Sequence, residues 1–126
     1  MNEKILLVED EPELRAALRV RLTASGFTCE AVSNGKEALT VLSRWQPDMV
    51  IADLLMPEMD GYALCRHIRA NAQWKNLPVL VLSAVPRHAI EQQEELQADR
   101  IMPKPFDSGE LLKTIRELLS EASQGG

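Results

Sequence analysis

Short runs of consecutive apolar residues alternate along the chain with stretches in which apolar residues recur every three or four positions. A continuous apolar run is typical of a strand buried on both faces of a parallel sheet, and the wider spacing is typical of an amphipathic helix. The runs predict five strands, at residues 5–8, 27–32, 49–52, 79–82 and 100–102. The spaced stretches predict five helices, which include residues 14–22, 38–45, 61–68, 89–96 and 111–119.

Turn and capping residues mark several boundaries between these elements. Gly26 is expected to end the first helix, because glycine commonly follows a helix C-terminus. Asn34 and Gly35 are expected to form a turn. Asp107, with Glu110 three residues later, resembles a capping box at the start of the last helix.

Strands that alternate with helices predict one parallel sheet with helices on both faces. Because crossovers between parallel strands are right-handed, the fold class is α/β, a doubly wound five-stranded sheet in a three-layer sandwich. A length of 126 residues suits one domain. We expect this domain to occupy residues 1–120, and the small, polar residues 121–126 to be a disordered tail or a linker.

The charge balance limits the class of partner. The chain carries 14 Lys and Arg against 19 Asp and Glu, for a formal net charge of −5. An acidic domain binds nucleic acid poorly without clustered cations, so we expect no direct nucleic-acid binding by this domain. No apolar run approaches the ~20 residues that cross a bilayer, and the N-terminus does not resemble a signal peptide. We therefore expect a cytoplasmic protein without membrane association.

The cysteines and histidines do not suggest a metal site of their own. Cys29 and Cys65 show no CxxC spacing, and both are expected to be buried as small hydrophobic residues. A structural zinc site needs about four ligands, and these cysteines lack paired spacing with His67 and His88. Both histidines are expected at the surface.

Polar residues follow four of the five predicted strands, where each strand ends. They are Glu9, Asp10 and Glu11 after the first strand, Asp53 after the third, Ser83 after the fourth and Lys104 after the fifth. In open α/β sheets the ligand site lies beyond the carboxyl ends of the strands. The strand assignments therefore predict that carboxylates, a hydroxyl and an ammonium meet at one edge of the sheet.

This set of groups suits phosphoryl transfer. Clustered carboxylates repel one another unless a cation neutralises them, and Mg²⁺ prefers oxygen ligands of this kind. Asp53 would be the nucleophile and would form an acyl phosphate. Lys104 would pair with the phosphate, and Ser83 would donate a hydrogen bond to one of its oxygens.

Each of these residues also has an ordinary structural explanation. The acids at 9–11 precede Pro12, a residue favoured in the first turn of a helix, and could simply cap that helix. Asp53 could shape the turn-rich loop that follows it. Ser83 alone is an ordinary strand end, and Lys104 alone an ordinary surface lysine. Their joint placement at the ends of four strands favours a site.

Four stretches together resemble the response-regulator receiver family. They are ILLVEDE at residues 5–11, DLLMPEMDG at 53–61, LSA at 82–84 and KPF at 104–106. The resemblance extends from residue 4 to about residue 119 and implies a flavodoxin-like (βα)5 fold of the chemotaxis-regulator type.

The resemblance implies a role for each residue of the predicted site. It implies four Mg²⁺ ligands, which are Glu9, Asp10, Asp53 and the backbone carbonyl of Leu55. It implies Asp53 as the phosphoacceptor. It implies a group that binds phosphate and operates the switch, which comprises Ser83, Ala84 and Lys104. The bond between Lys104 and Pro105 is expected to be cis, as in the family.

The family mechanism implies a switch rather than an enzyme with its own substrate. A sensor histidine kinase or a histidine phosphotransfer protein would donate the phosphoryl group from a phosphohistidine, and hydrolysis would later remove it. The phosphate would change a surface for partner binding or for homodimerisation. Two positions depart from the family pattern, since Ile101 replaces a common aromatic residue and Gln97 replaces a glycine.

Other functions remain open at this point. The chain could be a degenerate receiver that binds a protein partner without phosphorylation, or a phosphohydrolase with an aspartyl nucleophile. The complete set of acids, serine and lysine argues against the first, and the lack of a candidate second acid or base argues against the second. A nucleotide or flavin domain would share the fold, but the sequence contains no GxGxxG or GxxxxGK[ST] pattern.

Overall fold

The computed structural model of the chain describes residues 2–86 and 96–125. It contains one sheet of five parallel strands in the order β2-β1-β3-β4-β5. The strands are β1 (Lys4–Val8), β2 (Thr28–Val32), β3 (Met49–Asp53), β4 (Val79–Ser83) and β5 (Arg100–Pro103). The predicted fold class and all five predicted strands are confirmed.

Four helices lie within the described residues. They are α1 (Pro12–Ala24), α2 (Gly35–Leu42), α3 (Gly61–Ala70) and α4 (Ser108–Gly125). The helix predicted at residues 89–96 falls almost entirely outside the described residues, as does His88. None of the helices in the described part of the chain is long and apolar enough to cross a membrane.

The sheet is covered on both faces because its central strands are apolar at every position except their ends. Side chains on one face, such as Leu6 and Val81, pack against α2 and α3. Side chains on the other face, such as Ile5 and Leu80, pack against α1 and α4. All four of these side chains are fully buried, and burial of each stabilises the fold by about 1.5–3 kcal/mol.

Local signals in the sequence set most of the helix ends. Pro12 is the first residue of α1, and the helix ends before Gly26 as predicted. The side chain of Asp107 accepts a hydrogen bond from the Glu110 N–H at 2.8 Å, which confirms the predicted capping residue of α4. Asn34 is not an isolated turn residue, because its side chain accepts the Glu37 N–H at 2.9 Å and caps α2.

Two sequence expectations differ from the structure. Helix α4 continues to Gly125, past position 120 at which the sequence predicts the domain to end. Cys65 is buried as predicted, but Cys29 is only half-buried. The difference follows from the sheet order, because Cys29 lies on the edge strand β2 and has a neighbouring strand on one side only. Burial still raises the pKa of each thiol to about 11.

Candidate functional site

The strand order brings the predicted site residues to one edge of the sheet. Asp53 is the last residue of β3, the central strand, and Glu9 directly follows the neighbouring strand β1. Ser83 is the last residue of β4, on the other side of β3, and Lys104 directly follows β5. The strand ends are level with one another, since Asp53 pairs with Leu82 in the ladder between β3 and β4.

Three carboxylates form the acidic part of this edge. One oxygen from each of Glu9, Asp10 and Asp53 lies within 4.8 Å of the others. Asp10 is half-buried, whereas Glu9 is 1% exposed and Asp53 is 9% exposed. Such an arrangement of hard oxygen donors fits a divalent cation of the Mg²⁺ type.

The two carboxylate oxygens of Glu9 have different surroundings. Its Oε2 accepts the Glu11 N–H at 3.1 Å. Within the described residues its Oε1 is buried and has no hydrogen-bond partner. A buried oxygen without a partner costs free energy, and a bound cation would remove that cost. The acidic residues therefore fit the metal that the sequence predicts.

Lys104 supplies the positive charge at the site. Its ammonium lies 2.9 Å from Oδ1 of Asp53 and 3.6 Å from Oε1 of Glu9. Burial alone would lower the pKa of Lys104, but the hydrogen bond and charge of Asp53, with the charge of Glu9, outweigh burial and raise the pKa above its ordinary value. Lys104 is therefore a cation at neutral pH.

Glu9 titrates at a higher pH than an ordinary glutamate. Burial is the largest cause and raises the pKa of its carboxyl, and the negative charge of Asp53 raises the pKa further. The hydrogen bond from the Glu11 N–H and the charge of Lys104 oppose this shift without cancelling it. The raised pKa of Glu9 thus reflects mainly its burial.

The loop after β3 is folded back tightly onto the end of its own strand. The Gly61 N–H donates to the Leu54 carbonyl at 2.6 Å. A Cβ at position 61 would lie 2.9 Å from the Leu54 Cα, so no larger residue fits at this point. The Asp60 side chain caps α3 by accepting the Ala63 N–H at 2.9 Å. Between these fixed points the side chain of Leu55 is 59% exposed.

The remaining predicted residues lie on the β4 and β5 side of the edge. Ser83 is buried, and its hydroxyl accepts the Val85 N–H at 2.9 Å, while Ala84 is exposed. Ile101 is half-buried and packs against the core between the sheet and α2 and α3. The bond between Lys104 and Pro105 is cis, as predicted.

The structure also tests whether the acids at residues 9–11 serve only to cap helix α1. Glu11 is the N-cap residue of α1, but its side chain makes no capping hydrogen bond. The carboxylate of Glu9 is instead part of the acidic cluster. Arg15 was not predicted as part of this edge, and its Nη1 donates to the Glu9 carbonyl oxygen at 2.9 Å. The available signal was a cation in the second turn of a helix that directly follows an acidic loop.

Comparison with known proteins identifies the family. The sequence model of the response regulator receiver domain matches residues 5–116. The chain belongs to the response regulator receiver family. This receiver domain is part of two-component signalling, and receiver domains are signalling switches rather than enzymes with separate substrates.

The relatives of this receiver domain include longer regulators and isolated domains. The response regulator MprA of Mycobacterium sp. (strain KMS) is 36% identical over 126 residues, which are 98% of this chain and 53% of that protein. The receiver domain therefore spans about half the length of this relative.

Two solved structures share the fold over nearly the whole chain. The signal receiver domain of a signal transduction histidine kinase from Syntrophus aciditrophicus has a TM-score of 0.88 and 38% identity, over 94% of this chain and 91% of that one. The receiver domain of a sensor histidine kinase from Pseudomonas aeruginosa PAO1 has a TM-score of 0.86 and 26% identity, over 95% of this chain and 99% of that one. The Pseudomonas structure contains a magnesium ion coordinated in its active site cleft.

Proposed function

We propose that this receiver domain is a phosphorylation-activated switch and that Asp53 accepts the phosphoryl group. One observation carries the proposal. Asp53 is the last residue of the central strand. One of its carboxylate oxygens lies within 4.8 Å of an oxygen from each of two other carboxylates. Its Oδ1 lies 2.9 Å from the Lys104 ammonium. A nucleophile between a metal-binding cluster and a fixed cation is what phosphoryl transfer requires.

The residues that would hold Mg²⁺ are those of the acidic edge. They are Glu9, Asp10, Asp53 and the backbone carbonyl of Leu55. When bound, Mg²⁺ would neutralise the carboxylates and stabilise negative charge on the phosphoryl oxygens. The magnesium in the related Pseudomonas receiver domain supports this assignment.

The transfer itself uses groups of the chain. An oxygen of Asp53 attacks the phosphorus of a phosphohistidine on a sensor histidine kinase or a histidine phosphotransfer protein. The phosphorus–nitrogen bond breaks as the phosphorus–oxygen bond forms, and the imidazole leaves with the electron pair. Lys104, which already faces Asp53, then pairs with a phosphoryl oxygen. Attack of water on the acyl phosphate later restores the free carboxylate.

Ser83 and Lys104 would convert the phosphorylated state into a change of conformation. The Ser83 hydroxyl accepts the Val85 N–H at 2.9 Å and donates weakly to the Val85 carbonyl oxygen at 3.4 Å, so donation to the phosphate competes with this contact between Ser83 and Val85. Phosphate therefore favours a conformer in which the segment from Ser83 through Ala84 to Val85 has moved. Ile101 is already half-buried, so we propose that this segment, rather than a rotating aromatic ring, transmits the change to a partner-binding or dimerisation surface.

Intact mass spectrometry tests the acceptor directly. The purified chain is incubated with acetyl phosphate or phosphoramidate, with and without Mg²⁺, and compared with Asp53→Asn. Asp48→Asn is the matched control, because Asp48 is an exposed aspartate just before the same strand. We expect one phosphoryl group that requires Mg²⁺ and Asp53, decays on standing, and still forms in the control.

Three results would redirect the proposal. Labelling that persists in Asp53→Asn would place the acceptor elsewhere. A chain that takes no phosphoryl group from small donors or from histidine kinases would favour a phosphorylation-independent binding module. Steady turnover of a phosphate ester would instead favour a phosphohydrolase.

A further inference from the structure

The turn between β2 and α2, residues 32–35, carries no chemical group of the proposed site, yet it contacts both of the segments that supply its carboxylates. On one side, the Glu9 N–H donates to the Val32 carbonyl at 3.0 Å. On the other side, Gly35 is buried directly beneath the side chain of Met59, which belongs to the loop after β3.

The contact between Gly35 and Met59 leaves no room for a side chain at position 35. A Cβ there would lie 2.8 Å from Cγ, 2.9 Å from Sδ and 3.0 Å from Cβ of Met59. Such distances are well inside van der Waals contact between carbon atoms. A side chain at position 35 would therefore force the Met59 side chain to shift from its place.

The loop that Met59 anchors has an unusual backbone. Glu58 has a φ of 67°, in the left-handed region that non-glycine residues seldom adopt, and the Met59 N–H donates to the Pro57 carbonyl at 2.8 Å. A conformation of this kind costs about 1–3 kcal/mol and persists only where the surroundings impose it. The next residue along the chain, Met59, is the one that packs on Gly35.

Helix α2 braces the turn from within. The Glu37 carboxylate accepts hydrogen bonds from the Ser33 N–H at 2.8 Å and the Ser33 hydroxyl at 2.7 Å. The Asn34 side chain accepts the Glu37 N–H at 2.9 Å. The turn is therefore tied to the first residues of α2 on the side that carries Gly35.

We propose that the 32–35 turn is a positioning element, with Gly35 as its central residue, that fixes the Asp53 loop relative to the Glu9–Asp10 segment. The expected effect on metal binding rests on the proposed function, because the distance between these segments sets the geometry of the carboxylates that would bind the metal. Residues outside the ligand set that orient metal ligands commonly change metal affinity when they are replaced.

Gly35→Ala separates this role from that of an ordinary helix start. If Gly35 only began α2, alanine would leave the site unchanged and would favour the helix by up to about 1 kcal/mol. If Gly35 positions the loop, alanine must displace Met59 and with it the backbone of residues 54–61. The double variant Gly35→Ala with Met59→Ala removes the clash. Thr40→Ala, on the exposed face of the same helix, is the control.

Two measurements on the wild type and these three variants test the positioning role. Amide NMR shifts of the metal-free proteins report the loop without any ligand, and a magnesium titration by calorimetry reports the site. We expect Gly35→Ala to shift the amides of residues 54–61 and to weaken Mg²⁺ binding by roughly tenfold. The double variant has no clash but also lacks the anchoring Met59 side chain, so it should recover part of that affinity, and the control should match the wild type.

Unchanged loop amides in Gly35→Ala, or a double variant no better than Gly35→Ala, would overturn the positioning role. If the loop amides shift and the double variant reverses the shift, while no protein binds Mg²⁺, the positioning role stands and the proposed metal chemistry fails. The NMR and the titration therefore distinguish the failure of one proposal from that of the other.

Discussion

The Lys104 ammonium is closer to Asp53, at 2.9 Å, than to Glu9, at 3.6 Å, and so one cation is shared by two carboxylates from different strands. Because Glu9 is buried and Asp53 nearly so, neither carboxylate can rely on water for charge compensation. The lysine therefore stabilises the metal-free domain as well as serving the proposed chemistry.

Replacement of Lys104 by methionine should destabilise the metal-free protein. It leaves two poorly solvated carboxylates without their counter-ion, and we expect the free energy of unfolding to fall by about 1–3 kcal/mol. Urea denaturation in EDTA measures the change. Lys113→Met, at an exposed position of α4, is the control and should change stability little. Equal effects of the two substitutions would contradict the shared ion pair.

Glu9→Gln should stabilise the metal-free protein at neutral pH. The folded protein holds the Glu9 proton more tightly than the unfolded chain, in which a glutamate has a pKa of about 4.3. The stability that this proton contributes is present at low pH and is lost as the pH rises through the raised pKa. Glutamine avoids the loss and can still accept the Glu11 N–H.

Thermal unfolding in EDTA from about pH 4 to pH 8 tests this sign. We expect the melting temperature of Glu9→Gln to exceed that of the wild type at neutral pH and the difference to shrink towards pH 4. Glu13→Gln, an exposed acid in the first turn of α1, should show no such trend. A difference in melting temperature that grew as the pH fell would contradict the raised pKa of Glu9.

Mg²⁺ should raise the melting temperature of the wild type, because the folded acidic cluster binds the ion and the dispersed carboxylates of the unfolded chain do not. A concentration 100 times the dissociation constant would add about 2.7 kcal/mol. Asp10→Asn should remove most of the shift, and Asp48→Asn should retain it. No shift at millimolar Mg²⁺ would argue against the metal assignment.

Gly61→Ala should be costly because the added Cβ meets backbone rather than a flexible side chain. It would lie 2.9 Å from the Leu54 Cα and 3.1 Å from the Asp53 carbonyl oxygen. Such overpacking typically costs about 1–3 kcal/mol. Gly109→Ala is the comparison, since its Cβ meets only the tip of the Asp107 carboxylate at 3.1 Å. Chemical denaturation of both variants should separate them, and equal stabilities would refute the tight fold of this loop.

The sequence was sufficient to predict the sheet and the edge at which the site lies. Strands such as β3 and β4 are buried along their whole length, so their apolar runs are continuous and hard to mistake. The edge followed from topology, because the carboxyl ends of parallel strands share one side of a sheet. Asp53 and Lys104 could therefore be placed together although they are far apart in the chain.

Features that depend on side-chain packing between loops were not predictable in this way. The contact of Met59 with Gly35 and the bond from Arg15 to Glu9 join segments whose relative placement the periodicity of the sequence does not encode. The half-burial of Cys29 depends on which strand lies at the edge of the sheet. The hydrogen bond from the Val85 N–H to Ser83 depends on a rotamer, which no pattern of apolar residues specifies.

The strand order also gives the functional edge an uneven charge. Three carboxylates lie at the ends of β1 and β3, and the ammonium of Lys104 reaches two of them from the segment after β5. The edge therefore attracts a small cation more readily than an anion. A phosphoryl donor would meet a favourable charge over Asp53 only once that cation is in place, so the order of the strands implies an order of arrival for the two reactants.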